Sequence, residues 1–204
     1  MMDNFIKRDI NFLFFLCISG FLSFFFFDKQ ILNWTDFFNA KFFPIFTIFS
    51  HFISPLLFFI TWTSLFLFVR FTLRHYALIP LFFEIFTTQA ISLAIAYLSK
   101  VLIGRARPDI FLKEGIYGLY GWHFDPYYHS FPSGHSIVIC TLATTLSFLY
   151  PRYRLQLYAA AIVLSFSRVL IAKHYFSDIL GTCILAIISA TIVHGFFKNL
   201  ISPS

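Results

Sequence analysis

Charge is what this sequence has least of. Only 12% of its 204 residues are Asp, Glu, Lys or Arg, against about one quarter in a soluble domain. That shortage excludes an ordinary water-facing surface. A hydrophobic content of 59%, with 32 phenylalanines, points the same way, to a chain solvated by lipid. No internal repeat is present, which excludes solenoids and propellers. No low-complexity tail or polar linker divides the chain, so residues 1–204 read as one domain. Cysteine is scarce, and Cys17, Cys140 and Cys183 each fall within an apolar run. They read as small core residues, with no disulfide framework. Acidic residues are fewer than basic ones, 9 against 15, for a net charge of +6. Such an excess suits cytoplasmic loops or attraction to anionic headgroups, and the placement of the charges separates the two.

The apolar residues come in long runs. Ile10 to Phe27, preceded by Lys7 and Arg8, covers about 27 Å as a helix, close to the hydrocarbon thickness. It exceeds a signal-peptide core and no A-x-A-like cleavage site follows, so it reads as a retained transmembrane helix. Asp28 to Asn33 reads as a polar turn. From Trp34 to Ile53 the phenylalanines follow helical spacing with polar residues elsewhere, the pattern of an amphipathic helix lying at the membrane surface. Further spans are expected at about Pro55–Phe71, Leu78–Ile103, the run from Ser133 to near Tyr150, Leu155–Ile171 and Asp178–Phe197, the last capped by Ser177. Glu84 and Gln89 lie inside the third span, where Glu84 is placed either to act or to snorkel. The expected fold is therefore all-α: a polytopic membrane protein, six transmembrane helices in one bundle plus an interfacial amphipathic helix. Short basic segments around Lys7, Arg8, Arg70, Arg74, Arg152, Arg154 and Lys198 fall on one side, which the positive-inside rule makes cytoplasmic. The one long loop, Arg105 to Phe131, falls on the other side. Its Tyr117, Tyr120, Trp122, Phe124, Tyr127 and Tyr128 suit either an aromatic belt or a lid over a substrate.

Three polar stretches interrupt the apolar pattern, and all fall on the side away from the cytoplasm. The first gives Lys100, six residues, then Arg107 and Pro108; the second is Pro132, Ser133, Gly134 and His135; the third is Ser167, Arg168, five residues, His174, three residues, Asp178. Ser133 is a preferred N-cap, and the unpaired N–H groups of a first helical turn attract anions. Gly134 leaves that backbone open to close approach. Lys100, Arg107 and Arg168 supply positive charge, with bidentate geometry from the arginines. His174 and Asp178, four apart, can share a helical face, where a carboxylate on one ring nitrogen leaves the other as a nucleophile. His135 is then placed as general acid. Taken singly, each feature has a plainer meaning: a capped turn, a snorkelling arginine, a structural His–Asp contact, or two ligands of a metal site. Together on one face they are an inventory for phosphate-ester cleavage.

These stretches, K-x6-R-P, P-S-G-H and S-R-x5-H-x3-D, resemble the signature of the type 2 phosphatidic acid phosphatase and haloperoxidase superfamily, and the span layout resembles its membrane branch. The resemblance implies a lipid phosphatase in which His174 is the phosphorylated nucleophile oriented by Asp178, and His135 protonates the leaving group. Lys100, Arg107, Ser133, Gly134 and Arg168 would bind the phosphoryl oxygens, with no metal and no cofactor. The implied substrate is a phosphorylated membrane lipid: phosphatidic acid, phosphatidylglycerophosphate, undecaprenyl diphosphate or lipid A. The implied setting is a bacterial inner membrane with the site facing the periplasm. Neither nucleic acid nor an obligate protein partner is expected. A lipid-to-lipid phosphotransferase and a non-catalytic lipid-phosphate transporter are the alternatives.

Overall fold

The computed structural model describes residues 2–35, 48 and 54–201. Among the described residues there are helices and turns, no strands, and two isolated bridges from Arg105. The first helix, α1 (residues 2–35), runs straight through the expected polar turn, with a π-helical stretch at Ser23–Phe27. It does so because Asp28 finds partners inside the protein. Ser23, five residues back, donates to its Oδ1 at 2.7 Å, and the carboxylate is only 1% exposed. Trp34 and Thr35 are the last described residues of α1, and nearly all of the segment expected to lie at the membrane surface falls outside the described residues.

Helix α2 (Pro55–Leu67) starts where Ser54 accepts from Leu57 N–H at 3.3 Å with Pro55 at the first position, a favoured opening. It continues as a π-helical stretch, Phe68–Leu73. Helix α3 (Ile79–Ile103) ends at Gly104 in the left-handed region. A side chain there would run into the Gly121 carbonyl oxygen, so glycine is required on two counts. The long loop contains a short helix, α4 (Pro108–Glu114), bracketed by proline at its start and Gly115 in the left-handed region at its end. Backbone hydrogen bonds stitch the loop down: Gly121 N–H to Ile103 O, His123 N–H to Val101 O, Arg107 N–H to Tyr127 O and Ser130 N–H to Arg105 O.

Helix α5 (Gly134–Leu149) is capped by Ser133, which accepts from Ser136 N–H. Helices α6 (Arg154–Leu170) and α7 (Phe176–Ile201) complete the order. Helix α7 begins before Ser177, so that residue sits inside the first turn instead of capping it. Asp178 reaches back to accept from Tyr175 N–H at 2.9 Å, in the manner of a capping box. Helix α5 packs against α3, α6 and α7, and α7 also against α1 and α3. Small residues at these crossings, Cys140, Ala143, Ala161, Cys183 and Ala186, are all buried, which lets helix backbones approach closely where lipid offers no hydrophobic drive. Cys17, by contrast, is exposed and is not a core residue.

Among the described residues, four helical stretches are long and apolar enough to cross a membrane: Ile10–Thr35, Pro55–Leu73, Ile79–Ile103 and Phe176–Lys198. Helices α5 and α6, at 16 and 17 residues, rise about 24–26 Å, short of the ~30 Å of hydrocarbon. Glu84 does not snorkel. It is buried and meets His194 Nδ1 at 2.7 Å, with Phe148 stacked on the imidazole at 4.3 Å.

Candidate active site

One buried network ties α1 to the ends of α3, α5, α6 and α7. Arg105, just beyond α3, is 3% exposed and lies between the rings of Phe24 and Tyr175, its guanidinium carbon 4.8 and 4.6 Å from their centroids. One terminal nitrogen meets Asp28 Oδ2 of α1 at 2.6 Å. The other donates to Asp178 Oδ1 of α7 and to Ser177 Oγ, the latter at 2.8 Å. Asp178 Oδ2 accepts from Ser130 Oγ at 2.7 Å, just ahead of α5. It lies 3.7 Å from His174 Nδ1, in the turn after α6. Asp28 in turn accepts from Ser177 N–H at 3.0 Å, Ser177 Oγ at 2.5 Å and Tyr117 Oη at 3.1 Å. Burying two carboxylates is tolerated here because a guanidinium and several hydroxyl and amide donors surround them. Those carboxylates outweigh the opposing effect of burial and raise the Arg105 pKa. Burial chiefly raises those of Tyr117 and Tyr175, so both phenols stay neutral, and Tyr117 donates to Asp28.

His174 is the focus of that network. Its Nδ1 is 2.6 Å from the Ser130 carbonyl oxygen, which can only accept, so Nδ1 carries the proton and Nε2 the lone pair. Burial, helped by the charges of Lys100 and Arg168, lowers its pKa to about 3 against the opposing pull of Asp178. The ring is therefore a neutral imidazole with a fixed tautomer. The carbonyl of Ser130 holds Nδ1 directly. Asp178 sits one step behind, holding the Ser130 hydroxyl and the backbone that carries His174. The turn itself closes through Arg168, whose carbonyl accepts from Lys173 and His174 N–H at 3.1 and 3.3 Å. This closure needs Ala172 in the left-handed region, at φ 52°.

The cationic residues lie around this ring. Lys100 Nζ donates to the carbonyls of Pro132 at 2.6 Å and His129 at 3.1 Å, which sets the ammonium beneath the turn that opens α5. Ser133 is buried and donates its N–H to Thr182 Oγ1 of α7 at 3.0 Å. Gly134, with open space where a side chain would stand, and half-buried His135 follow in the first turn of α5. Arg107 is half-buried, and burial lowers its pKa against the attraction of Asp109 and Asp178. Arg168 is half-buried at the end of α6, close enough to Arg107 for mutual repulsion. Three like charges gathered beside a buried imidazole make this region electropositive. Among the described residues, no three His, Cys, Asp or Glu side chains are grouped to hold a metal ion.

A family model described as the PAP2 superfamily matches residues 77–202. The chain belongs to the PAP2 superfamily. Lipid A 1-phosphatase of Rhizobium etli is 40% identical over 97 residues, 48% of this chain and 42% of that protein. Lipid A 1-phosphatase of Rhizobium johnstonii is 38% identical over 97 residues, 48% of this chain and 40% of that protein. The matched stretch thus spans less than half the length of either curated relative. The crystal structure of Aquifex aeolicus LpxE superposes with a TM-score of 0.54 at 21% identity, covering 85% of this chain and 98% of that one, a likeness of fold.

Arg105, Asp28 and Ser130 are network residues that sequence reasoning did not single out. Arg105 stands two positions from Arg107 and looked like one more basic residue of a loop. Asp28 lies outside the stretch that matches the PAP2 superfamily, in a segment read as a turn. The only available signal was an acidic residue amid phenylalanines, which is costly in a helix unless it is paired. The aromatic loop divides: Tyr117 joins the buried network, whereas Trp122, Phe124 and Tyr127 are exposed.

Proposed function

We propose that this integral membrane protein is a lipid phosphatase that cleaves a phosphomonoester or pyrophosphate of a membrane lipid through a phosphohistidine. The observation that carries this reading is His174: buried, neutral, its Nδ1 bonded to a carbonyl, with Lys100 and Arg168 near enough to depress its pKa. Nε2 attacks phosphorus and the P–O bond to the lipid breaks. His135 gives a proton to the departing oxygen, and water then attacks the phosphohistidine, releasing phosphate and the free imidazole. Lys100, Arg107, Arg168 and the N–H groups behind Ser133 and Gly134 neutralise the equatorial oxygens. These side-chain cations perform the role a metal would otherwise fill, and no cofactor enters the reaction.

Helices α5 and α6 cross the membrane in this reading, giving six spans in one domain over residues 1–204. Their common turn, with Arg152 and Arg154, lies at the end opposite His135 and His174. The shortness of α5 is tolerable because it is enclosed by α3, α6 and α7 and need not match the lipid itself. The basic short segments put the termini in the cytoplasm and the site outside it, the periplasmic face of a bacterial inner membrane. The names of the relatives favour a lipid A phosphate among the candidate substrates. A transporter would bind a lipid phosphate without needing a fixed neutral imidazole beside a separate histidine. Release of inorganic phosphate from a panel of purified lipid A, phosphatidic acid, phosphatidylglycerophosphate and undecaprenyl diphosphate tests the proposal. A second lipid that gains the phosphate would identify a phosphotransferase; binding with no turnover of any member would refute catalysis.

A further inference from the structure

The loop after α3 contains a stretch without charge. Gly115 to Phe124 holds no Asp, Glu, Lys or Arg, and it is bounded by Lys113 and Glu114 on one side and Asp125 on the other. Leu119, Tyr120, Trp122 and Phe124 within it are exposed, the last two at 66% and 71%, and their rings meet edge to face at 5.9 Å. The backbone fixes where these side chains stand. Tyr120, Gly121 and His123 donate their N–H groups to the carbonyls of Gly104, Ile103 and Val101 at 3.0, 3.1 and 2.9 Å, groups that a helix end otherwise leaves without partners. The stretch is thereby fastened beside the final turn of α3, which is long and apolar enough to cross a membrane. Val101 lies two residues inside that helix's end, about 3 Å along its axis. Leu102, between the two bonded carbonyls of α3 in sequence, is exposed, and Leu98, one turn earlier on the same face, is exposed too.

We propose that Leu119, Tyr120, Trp122 and Phe124 are seated in the lipid leaflet on the side of His135 and His174, at the boundary between headgroups and acyl chains. The inference goes beyond the phosphatase reading and does not depend on it. Two observations select lipid as what covers this surface. The exposed side chains continue the exposed face of α3 at the same depth, and the stretch carries no charge that would hold it in water. Tyr and Trp suit that layer because their rings are apolar and their polar atoms can reach water. Non-helical backbone tolerates the depth because its inward N–H groups are bonded to α3, and the boundary is wet enough for the rest. The seat also bears on the site. His129 Nε2 donates to the His123 carbonyl at 2.9 Å, and the His129 carbonyl accepts from Lys100 Nζ. The segment that Lys100 grips is thus tied to a stretch whose depth the leaflet fixes.

Trp122 can report its own surroundings. With Trp34→Phe and Trp62→Phe it is the single tryptophan of the full chain. In phosphatidylcholine vesicles its emission should lie to the blue of an indole in water. It should be quenched by phosphatidylcholine brominated near the headgroup end of its chains and resist iodide present on both sides of the membrane. Quenching by iodide with none by the brominated lipid places the loop in water and overturns the inference. Quenching by neither means that protein covers the ring, and overturns it equally. Because Trp62 packs against Phe58 and Phe82, a second measurement leaves the tryptophans in place. In a Cys17→Ser background, where Cys140 and Cys183 are buried, a spin label is attached through Phe124→Cys or through Glu114→Cys. The label at 124 should collide more often with oxygen, which concentrates in lipid, than with a water-soluble nickel chelate. The label at 114, beyond the charged edge of the stretch, should show the opposite order. A preference for the nickel chelate at both positions overturns the inference.

Discussion

Asp28 and Arg105 should not be equivalent when removed, although they are partners. Asp28→Asn takes one carboxylate from the guanidinium but leaves Arg105 paired with Asp178, and the new amide oxygen still accepts one bond. Its NH2 group, however, must face Ser177 N–H, Ser177 Oγ or Tyr117 Oη, donors that now hold Oδ1 and Oδ2 at 2.5–3.1 Å. Breaking a buried pair typically costs about 3–5 kcal/mol. Against a total stability of about 5–15 kcal/mol, the variant should still fold, with a lowered transition temperature. Arg105→Met leaves two carboxylates uncompensated, at Asp28 and Asp178, both 1% exposed or less. It should cost about twice as much and yield little folded protein. Adding Asp28→Asn to Arg105→Met removes one of the two stranded charges, so the double variant should be more stable than Arg105→Met alone. Thermal unfolding of the three purified proteins in one detergent, followed by circular dichroism, reads the order. Arg105→Met no less stable than Asp28→Asn, or a double variant below both singles, would refute the shared-guanidinium account.

Three further outcomes follow from the site. Because burial disfavours the imidazolium, the ring needs strong acid to protonate: in histidine-labelled protein, the His174 nitrogens should keep the pattern of a neutral Nδ1–H tautomer from about pH 7 down to about pH 5, and a titration midpoint near the ordinary 6.5 would overturn the burial argument. Phosphatase activity should survive EDTA and be inhibited by vanadate, a mimic of the trigonal-bipyramidal state; loss with EDTA and rescue by a divalent ion would sink the reading of Lys100, Arg107 and Arg168 as the neutralising charges. In a Cys17→Ser background, a cysteine at exposed Glu114 should react with an impermeant thiol reagent outside intact cells and one at exposed Tyr153 should not, the reverse pattern overturning the proposed orientation.

The features legible from sequence are those set by neighbours in the chain. Ser133 was read as a cap because hydroxyl, glycine and an apolar run follow one another, and the cap is present. The third span, expected from Leu78, runs from Ile79 to Ile103 because hydropathy over 25 residues is a local sum. Helix α4 was missed inside a loop, though Pro108 and Gly115 punctuate it, because seven residues are too few to show a period. Asp28 was misread for a different reason. A charge in a helix is permitted or forbidden by its partners, and those are Arg105 and Ser177, 77 and 149 residues away. The sequence leaves Glu84 between acting and snorkelling for the same reason, since His194 lies 110 residues on. The stretches that make up the candidate site were legible as types at fixed spacings. That Ser130, not Asp178, directly holds His174 Nδ1 was not, because any backbone carbonyl can serve and none is marked in a sequence.

The two histidines can be separated by the substrate's leaving group. His174 is buried with its lone pair at Nε2, suited to attack, whereas His135 is half-buried in the first turn of α5, suited to give a proton to an outgoing oxygen. A lipid alkoxide leaves poorly without that proton, and a nitrophenolate needs almost none. General acid catalysis is worth about 10²–10⁴-fold, so His135→Ala should lose about that much on a lipid phosphate and recover most of the loss on p-nitrophenyl phosphate. His174→Ala should recover nothing, because without Nε2 no phosphoenzyme forms on either substrate. The measurement is kcat/KM for both variants on both substrates. It should be paired with acid-sensitive, alkali-stable labelling of the protein during turnover, which His135→Ala should retain on the aryl substrate and His174→Ala should lack. Equal losses for the two variants on both substrates would refute this division of labour.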